Sequence, residues 1–290
     1  MIHSRLTKID DEEYFGIQGM VNASTLKALY RKSPKHYQAS LDFPEPEPRV
    51  FVLGSAIHCI CLETEEFENR YITMPEFEPT EIDKKTGEVK EKTSGWKNTK
   101  DYKQQKVAWC SKHKDKVILE LEEDMLCRKI YSAYVASPYY EMCSGGAAEI
   151  TILSTARGVQ AKGKFDLLID LGNEVLIVDL KTTSDASEEG FLKSVFNYDY
   201  DLAAAWYKEM LLTIPDYEGK EIRFMWLAAE KKPPYSMCMY EASDEVLMNG
   251  RAKCSKALTS YKQWQALGAE VGYKAEDEVV VLKVPNWGRA

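Results

Sequence analysis

Two segments of the chain decide its fold: Lys162 to Asp166 (Lys-Gly-Lys-Phe-Asp) and, soon after, Val175 to Thr183 (Val-Leu-Ile-Val-Asp-Leu-Lys-Thr-Thr). Between them, Gly172-Asn173 separates two apolar runs. A glycine in the first position of a two-residue loop is typical of a type II′ hairpin turn. The pattern therefore predicts two antiparallel strands in which Leu171 pairs with Glu174.

This register gives the predicted hairpin two different faces, because side chains alternate along a strand. One face is apolar along its whole length and pairs Phe165 with Leu180, Leu167 with Val178 and Ile169 with Leu176. The other face gathers its charges at one end and pairs Lys164 with Lys181, Asp166 with Asp179 and Leu168 with Ile177.

The opposed pair Asp166 and Asp179 predicts a metal site. Directly opposed residues have Cβ atoms about 4.5–5.5 Å apart, and like charges at that distance are destabilising. A divalent cation relieves the repulsion, and Mg²⁺ prefers oxygen ligands. Lys181 follows about 6.6 Å further along the same face, where it can sit beside a metal-bound water. The alternative is a solvated strand edge, but apolar residues on both faces up to Asp179 favour a covered central strand.

The acidic residues and their spacing resemble a known nuclease signature. Asp166, twelve intervening residues and then Asp179-Leu180-Lys181 resemble the PD-(D/E)xK motif. The flanking segments resemble the exodeoxyribonuclease VIII (RecE-like) branch, with lambda exonuclease more distant: Ser24-Thr25-Leu26, Ser33 to Tyr37, Gly54 to His58 (Gly-Ser-Ala-Ile-His) and Glu149. The resemblance extends from about Val21 to Trp287, which is nearly the whole chain.

The resemblance implies an α/β fold with a restriction-endonuclease-like core, a central mixed β-sheet flanked by helices. It implies an exodeoxyribonuclease that degrades linear double-stranded DNA from its ends, 5′ to 3′, and leaves 3′ single strands for phage-type recombination. Expected partners are linear duplex DNA, a single-strand annealing recombination protein and further copies of the chain in a ring. The expected location is the cytoplasm of a bacterial or phage-infected cell.

The resemblance also assigns roles to individual residues. One or two Mg²⁺ or Mn²⁺ ions would be held by His58, Glu149, Asp166, Asp179 and the Leu180 carbonyl. Lys181 would act with Glu149, Asp166 and Asp179 in catalysis, by orienting or deprotonating the attacking water or by neutralising the phosphate. Expected DNA contacts are Lys162, Lys164, Thr182, Thr183, Ser184 and Tyr207.

Three of these assignments have alternatives. A histidine on an apolar helix, such as His58, is often a satisfied core residue. The hydroxyl-rich run Thr182 to Ser184 suits phosphate contacts or the capping of the next helix. Relatives often carry glutamine where this chain has Ala203, in a Gln-x-x-x-Tyr pattern that ends here at Tyr207, so the positioning of DNA or of the metal shell stays open.

Composition indicates one globular domain. The chain has 290 residues, of which 44% are hydrophobic, and we expect an N-terminal helical part over 1–147 and a catalytic sheet core over 148–290. No apolar run reaches the ~18–20 residues of a membrane helix. The seven cysteines include no Cys-x-x-Cys pair, so without a signal peptide we expect reduced thiols and no iron–sulfur cluster.

The formal net charge of −8 argues against a protein that coats DNA, but the charge is unevenly distributed. The segment 84–116 holds eleven lysines and four acidic residues. Trp96, Tyr102 and Trp109 interleave with these lysines, a pattern that can grip a DNA strand by charge and stacking. The alternatives are a solvated lysine face and an amphipathic helix that docks its aromatic rings on the core.

Apolar spacing, capping residues and turn residues predict the remaining elements. Helices are expected at 23–31, 35–41, 51–62, 97–114, 120–136, 187–196, 200–212 and 244–267. Strands are expected at 148–153, 222–229, 235–240 and 279–284, with an irregular or short-strand lead-in over 1–20 and loops at 43–48 and 76–93.

Two other functions stay open. One is a structure- or sequence-directed DNA endonuclease on the same core. The other is a non-catalytic DNA-end-binding protein, which the missing glutamine at Ala203 allows. The set of carboxylates with Lys181 favours catalysis, because a protein that only binds DNA does not need acidic groups that repel phosphate.

Overall fold

The computed structural model describes residues 3–46, 48–77, 97, 100–273, 279, 281 and 282. Its elements are, in chain order, β1 (Arg5–Thr7), α1 (Asp11–Gly16), α2 (Ala23–Arg31), α3 (Pro34–Asp42), α4 (Arg49–Leu62), α5 (Thr64–Arg70), β2 (Tyr71–Thr73), α6 (Lys100–Lys112), β3 (Val117–Leu119), α7 (Leu121–Ala136), α8 (Tyr139–Cys143), β4 (Ala147–Ala156), β5 (Val159–Asp170), β6 (Glu174–Thr183), α9 (Glu188–Asn197), α10 (Tyr200–Leu211), β7 (Glu221–Glu230), β8 (Met237–Glu241) and α11 (Asp244–Leu267).

Six strands form one mixed sheet in the order β1-β4-β5-β6-β7-β8. Strands β6 and β7 are parallel and are joined by α9 and α10, since parallel strands need a crossover connection. The cores on the two faces of the sheet contain residues of α2, α9, α10 and α11 on one face and of α4, α5 and α7 on the other. The predicted α/β fold with a central mixed sheet flanked by helices is confirmed.

The β5–β6 hairpin has the predicted register. The Leu171 N–H donates to the Glu174 carbonyl over 2.8 Å. The paired residues are Leu167 with Val178, Leu168 with Ile177, Ile169 with Leu176 and Asp170 with Val175. Towards the charged residues the ladder ends at Leu167 and Val178, one pair before the predicted contact between Asp166 and Asp179. Instead, the Leu180 N–H donates to the Asp166 carboxylate over 2.9 Å, so the two strands separate where the charged residues begin.

The prediction that Phe165, Leu167 and Ile169 share one apolar face is wrong. Leu167 and Ile169 belong to the core beneath α4 and α7, whereas Phe165 belongs to the opposite core. In the ladder of β4 and β5, Ala148 pairs with Leu167 and Ile150 pairs with Phe165, but the intervening Glu149 is unpaired in this ladder. Glu149 has a φ of 54°. A left-handed backbone at this non-glycine residue breaks the regular alternation of side chains, so the face that each strand presents changes at Glu149 and Asp166.

Most other predicted elements are confirmed within a few residues. Helix α2 begins where expected, and the side chain of its N-cap Asn22 accepts the Thr25 N–H over 2.8 Å. Strand β4 extends to Ala156, three residues beyond the prediction, because Arg157-Gly158 forms the next turn with φ values of 47° and 78°. The lead-in contains β1, which pairs with β4, and the unpredicted α1. The pair β2–β3, α5 and α8 were also not predicted.

Three expectations fall partly outside the described residues. The loop over 76–93 is described only at 76–77. Of the lysine-rich segment 84–116, residues 84–96, which include Trp96, and residues 98 and 99 also lie outside. Of the strand expected at 279–284, Val279, Val281 and Leu282 are described, and none of the three is in a strand. Among the described helices, none combines the length and apolar character needed to cross a bilayer.

Candidate metal centre and active site

The predicted site residues come from four elements that converge where β5 and β6 separate. Glu149 lies on β4, Asp166 on β5, and Asp179 and Lys181 on β6. His58 lies on α4, which packs against the sheet from the face opposite to α10. The end of the hairpin ladder leaves room for these side chains between the two strands.

Asp166 is the central residue of this group. Its Oδ2 accepts the Leu180 N–H and lies 3.4 Å from His58 Nδ1 and 3.9 Å from Lys181 Nζ. One carboxylate oxygen therefore connects the helix on one face of the sheet to the lysine on the neighbouring strand.

His58, Glu149 and Asp166 have the chemistry and the spacing of a divalent-cation site. Each offers one ligand atom, these atoms all lie within 4.8 Å of one another, and the three residues are partly buried. Burial and the neighbouring Asp166 raise the pKa of Glu149 to about 8. Two carboxylates in this setting resist simultaneous ionisation, and a cation removes that penalty. Two carboxylate oxygens and one imidazole nitrogen suit Mg²⁺ or Mn²⁺.

Asp179 lies beside this three-residue group and is paired with Lys181. The Lys181 Nζ is 2.6 Å from Asp179 Oδ2, and Asp179 is only 8% exposed. Burial lowers the pKa of Lys181, but the adjacent Asp179 and Asp166 outweigh it and raise the pKa overall. Lys181 is therefore a cation in this arrangement. Its Nζ also donates to the Leu180 carbonyl over 3.3 Å, so that predicted ligand atom is engaged by the lysine.

Cavities of about 390 and 430 Å³ open next to Glu149. Both are lined by Lys164, whose Nζ pairs with Asp11 and lies 3.7 Å from Glu149 Oε2. The smaller cavity reaches His58 and Asp166, so the candidate metal centre is accessible from this side.

The predicted DNA contacts differ in their environments. Lys162 is only 6% exposed, and its Nζ donates to the carbonyls of Tyr14 and Ile17 over 2.7 and 2.8 Å. These bonds favour a structural role for Lys162, because they hold the lead-in of the chain against β5. Thr183 is also buried and bonds the backbone of Asp185 through its Oγ1.

Of the other three predicted contacts, one is exposed and two are partly buried. Ser184 is exposed and Thr182 is partly buried. Tyr207 packs its ring against Phe165 with 5.5 Å between centroids. A Cβ at Gly163 would lie 2.8 Å from the Tyr207 ring, so the close approach of this ring to β5 requires the glycine.

The aromatic residues of the lysine-rich segment pack on the protein where they are described. Tyr102 and Trp109 contact Phe77 with ring centroids 5.6 and 6.4 Å away. Trp109 also contacts His113 at 4.3 Å. These contacts favour the alternative of a helix that docks its aromatic rings.

Two residues near the site, Lys27 and Tyr200, were not predicted as site residues from the sequence. Lys27 on α2 and Lys181 both lie over the ring of Tyr200, the first residue of α10, at 5.1 and 5.5 Å from its centroid. Burial and the neighbouring Lys181 lower the pKa of Lys27 to about 8. No local pattern marks Lys27, because only the packing of α2 brings it to β6.

Comparison with known proteins agrees with this geometry. Residues 22–276 match the model of a family described as "PDDEXK-like domain of unknown function (DUF3799)". No curated protein matches the chain. The crystal structure of a candidate exonuclease from Eubacterium rectale is similar, with a TM-score of 0.63 and 13% identity over 96% of this chain and 97% of that one. At that identity, the likeness concerns the fold.

A second structure, of SSO0001, gives a TM-score of 0.28 at 14% identity over 55% of this chain and 70% of the other, which is too low to carry an argument. The family match covers most of the chain, including all five residues of the candidate site. The mixed sheet and the acidic residues next to Lys181 agree with it. This chain accordingly belongs to the family of PDDEXK-like domains, within the PD-(D/E)xK nuclease superfamily.

Proposed function

We propose that this protein is an exodeoxyribonuclease that uses divalent metal ions to degrade linear double-stranded DNA from its ends. The observation that supports the proposal most strongly is the group of His58, Glu149 and Asp166 beside the Asp179–Lys181 pair. Potential metal ligands next to a lysine ammonium suit the hydrolysis of a phosphodiester bond. The exonuclease description of the structurally similar protein from Eubacterium rectale agrees with this proposal.

His58, Glu149 and Asp166 would hold the cation, Mg²⁺ or Mn²⁺. When bound, such an ion supplies Lewis-acid polarisation of the scissile phosphate. Asp166 is oriented for this role by the Leu180 N–H, which fixes one of its carboxylate oxygens. Asp179 and the Leu180 carbonyl remain proposed ligands of one or two ions. In the structure, Lys181 forms an ion pair with Asp179 and donates a hydrogen bond to the Leu180 carbonyl.

Lys181 would stabilise the negative charge that develops on the phosphate. It is protonated in the arrangement described, because Asp179 and Asp166 raise its pKa against the effect of burial. A cation positioned before the reaction needs little reorganisation in the transition state. Asp179 would hold this ammonium in place through the 2.6 Å ion pair.

The resemblance to the exodeoxyribonuclease VIII branch supports finer proposals. These are digestion from 5′ to 3′, release of 3′ single strands for recombination, cooperation with a single-strand annealing protein and assembly into a ring. Lys164, Thr182 and Ser184 remain proposed DNA contacts, since Lys164 lines the cavities and the other two follow Lys181 on the chain.

The direct test uses end-labelled linear duplex DNA with Mg²⁺. We expect the wild-type protein to release labelled nucleotides and Asp179→Ala to release none while it remains folded. Asp216→Ala, an exposed acidic residue far along the chain, is the matched control. Closed circular DNA of the same sequence should resist.

Each other outcome has a clear meaning. Activity retained by Asp179→Ala would refute the site. Cleavage of closed circles would favour the endonuclease alternative on the same core. Binding to DNA ends with no metal-dependent cleavage would favour the non-catalytic alternative.

A further inference from the structure

Lys27 is a cation next to the candidate site, and it has no anionic partner among the residues that the structure describes. It lies in the second turn of α2 and is partly buried. Within the described part of the chain, its ammonium makes no hydrogen bond and no ion pair, and its contact is with the face of the Tyr200 ring. Placing a charge away from water is costly unless that charge is paired.

The two carboxylates whose charges act on Lys27, Asp179 and Asp199, are already engaged. Asp179 is paired with Lys181 at 2.6 Å. Asp199 is paired with Lys253 at 2.7 Å and also with Arg31. Lys27 therefore has two neutralised acidic groups and a second cation, Lys181, as its charged neighbours, and both ammonium groups contact the Tyr200 ring.

Three other lysines that are buried or partly buried, Lys253, Lys164 and Lys162, have ion-pair or hydrogen-bond partners and so differ from Lys27. Lys253 lies between two aspartates, and Lys164 pairs with Asp11 near Glu149. Lys162 donates to two carbonyl oxygens. The position of Lys27 beside Lys181 suits an anion that enters from outside, and the anion of the proposed reaction is the DNA backbone.

We propose that Lys27 is a substrate-binding residue, whose ammonium contacts a phosphate of the DNA strand next to the phosphodiester that Lys181 engages. This inference rests on the proposed function, since it takes DNA as the substrate. Tyr200 would position both ammonium groups by a cation–π contact with each. The two lysines then contact the strand at neighbouring points of its backbone.

The test measures binding of a fluorescent linear duplex by anisotropy in EDTA at several salt concentrations, and cleavage in Mg²⁺ by the same proteins. The variants are Lys27→Met, which removes the charge, and Lys27→Arg, which keeps it. Lys32→Met is the matched control, because Lys32 is the exposed C-cap residue of the same helix. Thermal unfolding of every variant is recorded alongside.

We expect Lys27→Met to weaken binding about tenfold and to reduce the slope of log K against log salt by about 1, as loss of one phosphate contact does. Lys27→Arg should restore both values to near those of the wild type. Lys27→Met should unfold at a temperature no lower than Lys32→Met, because it removes an unpaired cation.

Two outcomes would overturn the inference: binding and salt slope of Lys27→Met equal to those of Lys32→Met, or a marked loss of thermal stability in Lys27→Met, which would make Lys27 structural. The wild-type cleavage assay separates this inference from the proposed function. If the wild type cuts DNA and Lys27→Met binds normally, only the inference fails. If the wild type cuts nothing while Lys27→Met loses binding, the DNA contact stands and the nuclease proposal fails.

Discussion

Two charged clusters of this protein differ in how completely their charges are neutralised. The first, here the α10 anchor, consists of Arg31, Asp199, Asp201, Asn249 and Lys253. Lys253 Nζ donates to Asp199 and Asp201 over 2.7 and 2.8 Å, and Asn249 donates to Asp201 over 2.6 Å. Arg31 pairs with Asp199. Two carboxylates therefore meet two cations, and the cluster ties α2, α10 and α11 together.

The second cluster, here the acidic site, consists of His58, Glu149, Asp166, Asp179 and Lys181. Its three carboxylates outnumber its one lysine ammonium, and the neighbouring Lys164, 3.7 Å from Glu149, is also paired with Asp11. Burial and Asp166 raise the pKa of Glu149 to about 8. The neutralised cluster joins three helices, whereas the cluster beside the sheet has an excess of carboxylates that suits the proposed cation. The following predictions test this difference.

The largest expected effect is loss of cleavage on removal of the central carboxylate. Asp166→Ala should lower the rate of DNA cleavage at least ~10³-fold, because the metal ligand and its link to Lys181 disappear together. The midpoint of thermal unfolding should not fall, since a crowded acidic group is relieved. Asp170→Ala, four residues further on the same strand and exposed, is the control. A cleavage rate of Asp166→Ala within tenfold of the Asp170→Ala rate would contradict the assignment.

The α10 anchor should respond in the opposite way. Asp201 has a fully buried side chain, so Asp201→Ala leaves Lys253 and Asn249 without one of their partners. We expect the free energy of unfolding to fall by about 3–5 kcal/mol. Cleavage at low temperature, where the variant stays folded, should remain close to the wild-type rate. Chemical denaturation and the cleavage assay measure the two effects.

If Asp201→Ala abolished cleavage with no loss of stability, the distinction between the clusters would be wrong.

The anchor also depends on close packing between α10 and α11. A Cβ at Gly250 would lie 2.1 Å from the Asp201 carbonyl oxygen, so this position of α11 requires glycine.

Metal binding should stabilise one cluster only. At 100 times the dissociation constant, a divalent cation that binds only the folded state adds about 2.7 kcal/mol to the free energy of unfolding. We expect Mg²⁺ or Mn²⁺ to raise the unfolding midpoint of the wild type and of Asp201→Ala. Asp166→Ala should show no increase. An equal increase in Asp166→Ala would place the cation elsewhere.

The smallest expected effect is a pH dependence of the metal-free protein. Glu149 has a pKa raised from 4.5 to about 8, so between these values the folded state holds a proton that the unfolded state has lost. The stabilisation is complete below pH 4.5 and is lost as the pH rises through about 8. In EDTA, the free energy of unfolding of the wild type relative to Glu149→Gln should therefore fall from pH 5 to pH 8. A constant or rising difference would contradict the raised pKa.

The hairpin could be predicted because its signals are local. The alternation of apolar residues and the Gly172-Asn173 turn determine the register, and the Asn22 cap marks the start of α2. The members of the acidic site could also be predicted from the sequence. The structure brings His58, Glu149 and Asp166 together as expected.

The remaining features depend on tertiary contacts that no local pattern contains. The change of face at Glu149 follows from a positive φ at a non-glycine residue. Lys162 turns inward because the carbonyls of Tyr14 and Ile17, about 145 residues earlier, lie within reach. Lys27 reaches Tyr200 only when α2 packs beside α10.

The most direct test of the proposed metal centre is an anomalous difference map from a crystal soaked in Mn²⁺. We expect a peak in coordinating contact with His58 Nδ1 and with the carboxylates of Glu149 and Asp166, and no peak at the α10 anchor. Absence of density among these three side chains, with Mn²⁺ bound elsewhere on the protein, would contradict it.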